Sequence, residues 1–167
     1  QLLALARADP STSFPEQFDT VDLKALAGRI VESNVDRALH AGLDLGVEAG
    51  SAGVRGNARL LEDLLGNLVD NAIHYTPRGG HVTVRVSLRD GQPSLEVEDD
   101  GPGIPEDQRV RVRERFYRIP GTSGQGCGLG LAIVAEIAEA HGAQFSLESS
   151  GQGRGTLARV LFRSQVL

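Results

Sequence analysis

The apolar positions of this chain repeat at two periods, three to four residues and two, and the switches between them mark its elements. Leu2, Leu3, Leu5 and Ala6 form one stripe that Pro10 stops, and the polar run "PSTSFPEQFDT" after it reads as a linker. From Val21 the period is helical, through Leu23, Leu26, Ile30, Val31, Val35 and Leu39, with Gly42 just past the expected end. "LDLGVEA" alternates and predicts a short strand. "NARLLEDLLGNLVDNAIHYTP" predicts a helix with Asn57 as N-cap, an apolar face of Leu60, Leu61, Leu64, Leu65, Leu68, Val69 and Ile73, and Pro77 as its stop. "HVTVRVSLRDGQPSLEVEDD" predicts a β-hairpin. Val82, Val84, Val86 and Leu88 should share one face, Asp90-Gly91 opens the turn, and Leu95 and Val97 return.

A long polar loop comes next, "GPGIPEDQRVRVRERFYRIPGTSGQG", with one helical turn expected after Pro105. "LGLAIVAEIAEAHG" predicts a helix that aligns Leu129, Ile133, Ile137 and Ala140 and stops at Gly142, and "AQFSLES" and "GTLARVLF" predict two strands joined by a glycine-rich turn. Helices on one face of a mostly antiparallel sheet make a two-layer α/β sandwich, an α+β fold with about three helices and a flexible loop between the hairpin and the last helix. The expected organisation is residues 1–10 as the end of a preceding helical domain, 11–20 as a linker and 21–167 as the main domain. The opening "QLLALARADP" and the absence of an initiator methionine predict a piece of a longer protein.

Composition narrows the function. Hydrophobic residues make up 40% of the 167 positions, enough for one core built from aliphatic side chains, since aromatics are only 4%. The net charge of −5 argues against binding duplex nucleic acid. The single cysteine, Cys127, rules out a disulfide within the chain and suits a reducing compartment. No apolar run approaches the ~20 residues of a membrane span.

The chemistry concentrates in "GTSGQGCGLGLAIVAEIAEAHGA", a glycine-rich turn that opens a helix, the local design of a phosphate site. A P-loop needs a lysine just after its glycines, and the only lysine is Lys24. A dinucleotide fold needs a strand leading directly into the glycines, and here a charged loop leads in. A third architecture remains, which binds ATP between an asparagine-bearing helix, an Asp-x-Gly-x-Gly turn and a glycine-rich lid.

On these motifs the chain resembles the catalytic domains of sensor histidine kinases. "LLGNLVDNAIHYTP" looks like their N box, "VEDDGPGIPED" their G1 box, "RERFYR" their F box and "GTSGQGCGLGLAIVAEIAEAHGA" their G2 box, in the family's order. The resemblance covers about residues 20 to 163. It implies the Bergerat ATP-binding fold shared with gyrase, mismatch-repair and heat-shock chaperone ATPases, with ATP and Mg²⁺ as ligands. It implies transfer of the γ-phosphoryl group to a histidine on a dimerisation domain, for relay to a response regulator. Residues 1–10 would then be the tail of that dimerisation domain. The intact protein would be a membrane-bound homodimer with this domain in the cytoplasm, and the chain by itself a monomer.

The same resemblance implies residue roles. Asn67 and Asn71 lie four apart, on one helical face. Asn71 is the expected Mg²⁺ ligand, with Asn67 near the metal's water shell or the phosphates; a neutral amide oxygen serves a hard ion without adding charge beside a triphosphate. The related ATPases carry a glutamate at the place of Asn67 to activate water, and asparagine cannot act as a base. Asp99 would accept a hydrogen bond from the adenine amino group and repel a guanine carbonyl. Gly101 and Gly103 would let the backbone approach the base, with Ile104 beginning the lid. Tyr75 would pack near adenine and ribose and His74 would face phosphate. Phe116 belongs to the F box, and Arg115 and Arg118 are the lid arginines for the γ-phosphate or the acceptor domain. Gly124, Gly126, Gly128 and Gly130 would free the lid, Gln125 would reach metal or phosphate, and Leu129 would open the helix whose N-terminal dipole meets the phosphates. Asn67 and Arg118 are the expected catalytic pair.

Two departures stand out. Relatives often carry a phenylalanine where this chain has Arg113, and none of the histidines (His40, His74, His81, His141) sits in a phosphoacceptor motif. Two other readings fit an ATP site: a regulatory module that binds nucleotide without transfer, and an ATPase of the gyrase or chaperone type.

Overall fold

The computed structural model describes residues 18–121, 128–151 and 153–164. The opening apolar stripe, the linker up to residue 17 and four lid positions, Gly124, Gln125, Gly126 and Cys127, lie outside the described residues.

Asp19–Asp22 is a strand, β1, and not the linker end and helix start that the apolar period predicts. Val21 pairs across from Val54 in strand β3 (Gly53–Gly56), which the apolar pattern does not predict, and both side chains are buried. The helix begins one residue after Asp22. Its carboxylate accepts the N–H groups of Lys24 and Ala25 at 2.8 and 3.2 Å, the N-cap geometry that sets where helical hydrogen bonding starts. Helix α1 (Leu23–Ala41) ends at Gly42 in the left-handed region, as expected. Its apolar face is shorter than predicted, because Val35 and Leu39 are exposed.

Strand β2 (Asp44–Ala49) forms where the alternation predicts it. Helix α2 (Ala58–Tyr75) is capped by Asn57, whose side-chain oxygen accepts the Arg59 and Leu60 N–H groups at 3.0 and 3.1 Å. Strands β4 (His81–Arg89) and β5 (Gln92–Asp99) make the hairpin. Leu88, predicted to share the buried face with Val82, Val84 and Val86, is exposed near the turn. Two 3-10 turns, Glu106–Gln108 and Arg111–Arg113, occupy the long loop. Helix α3 (Gly130–Ala140) buries Ile133 and Ile137 but leaves Ala140 exposed. Strands β6 (Gln144–Ser149) and β7 (Thr156–Leu161) complete the chain.

The main sheet runs β2-β4-β5-β7-β6, parallel at β2–β4 and antiparallel elsewhere, so it is mixed and mostly antiparallel. Its two faces differ in kind. Val84, Leu95, Val97, Val160 and Leu147 are buried in the core beside Leu64, Leu65 and Ile137 from the helices. The other face carries an ion-pair ladder in which Arg85 meets Glu98 and Glu48, and Arg159 meets Glu96 and Glu148. Among the described residues no helix covers that charged face, which gives the two-layer arrangement. Burial pushes the Glu96 carboxyl upward, but Arg159, Ser94 and Arg89 outweigh it and hold the group below the usual carboxylate range. No helix among the described residues is long and apolar enough to cross a membrane.

Candidate functional site

A cleft of about 290 Å³ opens between α2, the turn after β5, the 3-10 segment and the start of α3. Helix α2 faces the core with its leucines, so the residues on its opposite edge, Asn67, Asn71, His74 and Tyr75, line the cleft. Asp99, Gly103 and Ile104 line it from the strand end, and Arg118, Gly128, Leu129 and Gly130 from the lid and α3.

The asparagines are set for ligands. Asn67 Nδ2 donates to the Asp63 carbonyl at 2.7 Å, which leaves its Oδ1 unpaired among the described residues. Asn71 has no hydrogen-bond partner among them. A β-carbon on Gly130 would lie 3.2 and 3.3 Å from the Asn71 amide atoms and 3.4 Å from Asn67 Oδ1. Both amides therefore converge on the first residue of α3, where a side chain would crowd them. That helix start has no side-chain cap, so its first N–H groups are left for a ligand. Two neutral oxygens beside uncapped amides suit phosphate with a hard, oxygen-seeking ion shared between protein and phosphate. No cluster of three His, Cys, Asp or Glu that would hold a metal by itself occurs among the described residues.

The far end of the cleft centres on Asp99. Its Oδ1 accepts the N–H of Gly101 at 2.9 Å and of Thr156 at 3.2 Å, so the carboxylate is pinned through one oxygen. Burial is the main influence on this carboxyl and pushes its pKa up; the two backbone N–H groups pull it down, and Asp100 and Glu98 raise it further. Asp100 is held differently. Its Oδ1 accepts the His81 N–H at 2.7 Å and its Oδ2 lies 2.9 Å from His81 Nδ1, tying the turn to the start of β4. No motif in the sequence surrounds His81; its partner is 19 residues away and meets it only across the hairpin.

Gly103 and Gly155 have a role that the motifs do not give them. Gly103 has φ +77°, and a β-carbon there would lie 3.0 Å from the Gly155 carbonyl. The G1 turn thus packs on the turn before β7, and Gly155 and Thr156 join the site. The cluster "GQGRGT" was the available signal.

The described part of the loop, up to Gly121, is held by several contacts. Val112 is buried, Arg109 donates to the Ile104 carbonyl at 3.2 Å and to Ser149 Oγ at 2.8 Å, and Arg111 stacks on Tyr117 at 4.3 Å. Arg118 lines the cleft, but Arg115 does not. Its guanidinium pairs with Glu136 on α3 at 2.7 Å. Phe116 does not line it either; it is exposed at positive φ, its N–H bonded to the Gly128 carbonyl at 2.9 Å. Arg113, the departure from the F-box pattern, stacks over Phe145 at 5.0 Å. His141 ties the end of α3 to the cap of α2: its Nδ1 lies 2.7 Å from the Ile137 carbonyl and its Nε2 accepts the Asn57 N–H at 3.1 Å. Arg37, which no motif marks, and Asp70, an N-box residue given no role, also line the cleft.

The chain is similar to known proteins in sequence and in fold. The family model described as histidine kinase-, DNA gyrase B-, and HSP90-like ATPase matches residues 56–166. The sensor protein kinase PmrB of Pseudomonas aeruginosa is 38% identical over 161 residues, 96% of this chain and 34% of that protein. The chain therefore spans about a third of the length of the curated relatives it matches. The mycobacterial sensor histidine kinase MprB has a similar structure, with a TM-score of 0.78 at 32% identity over 87% of this chain and 96% of that one. Full-length ShkA, solved in complex with AMPPNP, matches with a TM-score of 0.79 at 25% identity, over 99% of this chain and 36% of that one.

Proposed function

Because the chain belongs to the histidine kinase-, DNA gyrase B- and HSP90-like ATPase family, as an ATP-binding domain of the sensor histidine kinase branch, we propose that it is the phosphoryl donor of a two-component sensor. The observation that carries this reading is the meeting of Asn67 and Asn71 with the uncapped start of α3 at Gly130, opposite a pinned aspartate. Adenine would sit against Asp99, with Gly101 and Tyr75 beside it, and the triphosphate would run toward Gly130. Asn71, with Asn67 beside it, would hold Mg²⁺, which there would offset phosphate charge. Arg118 enters from the lid side, where a guanidinium can stabilise charge on the transferring group. Little covalent chemistry is then asked of the protein, since phosphoryl transfer depends on positioning and charge neutralisation.

The acceptor would be a histidine on a dimerisation domain, and the next acceptor an aspartate on a response regulator. The whole protein would be a membrane-anchored homodimer with this domain on the cytoplasmic side. Asn67 in place of a general base favours holding ATP for transfer over hydrolysing it. The AMPPNP complex of ShkA supports placing a nucleotide triphosphate in this cleft.

The test is radiolabelled Mg-ATP with this chain alone and with a separately produced dimerisation domain. Label on the acceptor domain and none on this chain is the expected result. Stable label at a histidine of this chain would overturn the donor-only reading. Steady phosphate release with no transfer would favour an ATPase, and nucleotide binding with neither would favour a regulatory module.

A further inference from the structure

Arg37 lies on α1, outside every motif that marks the nucleotide site, yet its side chain lines the cleft together with Asp70, Asn71 and His74. Its Nη1 pairs with Asp70 on the neighbouring helix. Its Nε and Nη2 have no partner among the described residues. A second ion pair, Arg29–Glu62 at 2.8 Å, joins the same two helices eight residues earlier on each. The pairs are alike in exposure, 56% and 42% for the side chains of Arg29 and Glu62 against 49% for both Arg37 and Asp70. They differ in place: only Arg37–Asp70 borders the cleft. A brace between helices needs nothing from the cleft, so Arg29–Glu62 shows what such a pair looks like when bracing is all it does.

Charge makes the difference matter. The α2 wall of the cleft offers neutral amides, a histidine and the Asp70 carboxylate, and Asp99 adds a second carboxylate. A nucleotide triphosphate brings several negative charges. Among the described lining residues the arginines are Arg118, from the lid side, and Arg37, from the α1 side. Arginine keeps its charge at any physiological pH, and its fork of N–H groups can hold a carboxylate on one side and a phosphate on another.

We propose that Arg37 is a polyphosphate-binding residue, held at the rim by Asp70 and contacting the phosphates of the bound nucleotide from the α1 wall. The proposal rests on the nucleotide reading of the cleft. Asp70 then competes with the phosphates for the guanidinium and places a negative charge beside them. Neutralising Asp70 frees Arg37 for the ligand, whereas removing Arg37 leaves Asp70 facing the phosphates uncompensated.

The test is calorimetric titration of the chain and its Arg37→Gln, Arg29→Gln and Asp70→Asn variants with Mg-ATP, with adenosine binding followed by chemical-shift titration. Arg37→Gln is expected to weaken Mg-ATP by about fivefold or more, the scale of a half-exposed charge-assisted hydrogen bond, and to leave adenosine within about twofold. It should also flatten the salt dependence of ATP affinity. Arg29→Gln should leave both ligands unchanged, and Asp70→Asn should leave Mg-ATP as tight as before or tighter. The proposal is overturned if Arg37→Gln weakens ATP and adenosine equally, leaves ATP unchanged, or is matched by Arg29→Gln or Asp70→Asn, the last two being what a structural brace produces. Absence of ATP binding by the unaltered chain would refute the nucleotide reading itself, a failure distinct from these.

Discussion

A β-carbon on Gly155 would lie 1.8 Å from the carbonyl oxygen of Asp99. The turn into the last strand therefore passes Asp99 so closely that only a hydrogen fits between them, and Gly155 itself has φ +97°. Gly155→Ala must push the two strands apart and strain its own backbone. A loss of about 3 kcal/mol or more is expected, since both an incompatible backbone angle and overpacking act at one residue. Urea denaturation would measure the loss. Nucleotide affinity should fall with it, because Thr156, the next residue, donates its N–H to Asp99.

Asp99 is held by two backbone N–H groups through a single oxygen, leaving the other for a ligand. Asp99→Asn should weaken ATP by about 10- to 100-fold, the value of one hydrogen bond to a charged group. It should also reduce discrimination between ATP and GTP. Unchanged affinity in a calorimetric titration would remove Asp99 from the adenine end.

The unpartnered Asn71 amide beside Gly130 predicts a metal-dependent effect. Asn71→Ala should abolish most of the gain in ATP affinity that Mg²⁺ confers on the unaltered chain, while adenosine binding stays within about twofold, since one lost ligand removes metal-site free energy and not adenine contacts. Equal affinity gains with Mg²⁺ in variant and unaltered chain would assign the metal elsewhere.

The His81–Asp100 pair predicts a pH dependence of stability. The hydrogen bond and charge of Asp100 raise the His81 pKa above 6.5. The stabilisation from the charged pair is then fully present below the unfolded histidine's pKa and is lost as pH rises through the higher folded value. On the acid side, desolvation pushes Asp100 up, but His81 outweighs it and holds that carboxyl below its ordinary value, so the contribution persists until pH falls below the usual aspartate range. His81→Gln should lower the melting temperature near pH 5 to 6 and converge with the unaltered chain toward pH 8. Parallel melting curves across that range would show that the pair contributes nothing.

Much of this molecule is legible in the order of its residues because local physics decides it. Asn57 can cap only the helix that starts directly after it, the apolar stripe of α2 can face only inward, and the alternation from Val82 to Val97 gives a hairpin with one apolar face. The family motifs mark Asn67, Asn71 and Asp99 for the same reason: the spacing of each is set within one element. Tertiary structure decided what two distant segments do to each other. Val21 looks like the first turn of a helix, but Val54 offers a strand partner and Asp22 caps the helix a residue later. Arg115 looks like Arg118 in a basic loop, and Glu136 on α3 draws one aside while the other lines the cleft. Gly155, His81 and Arg37 belong to no short motif, because the group that gives each its meaning, Asp99, Asp100 or Asp70, lies far along the chain and only folding brings it near.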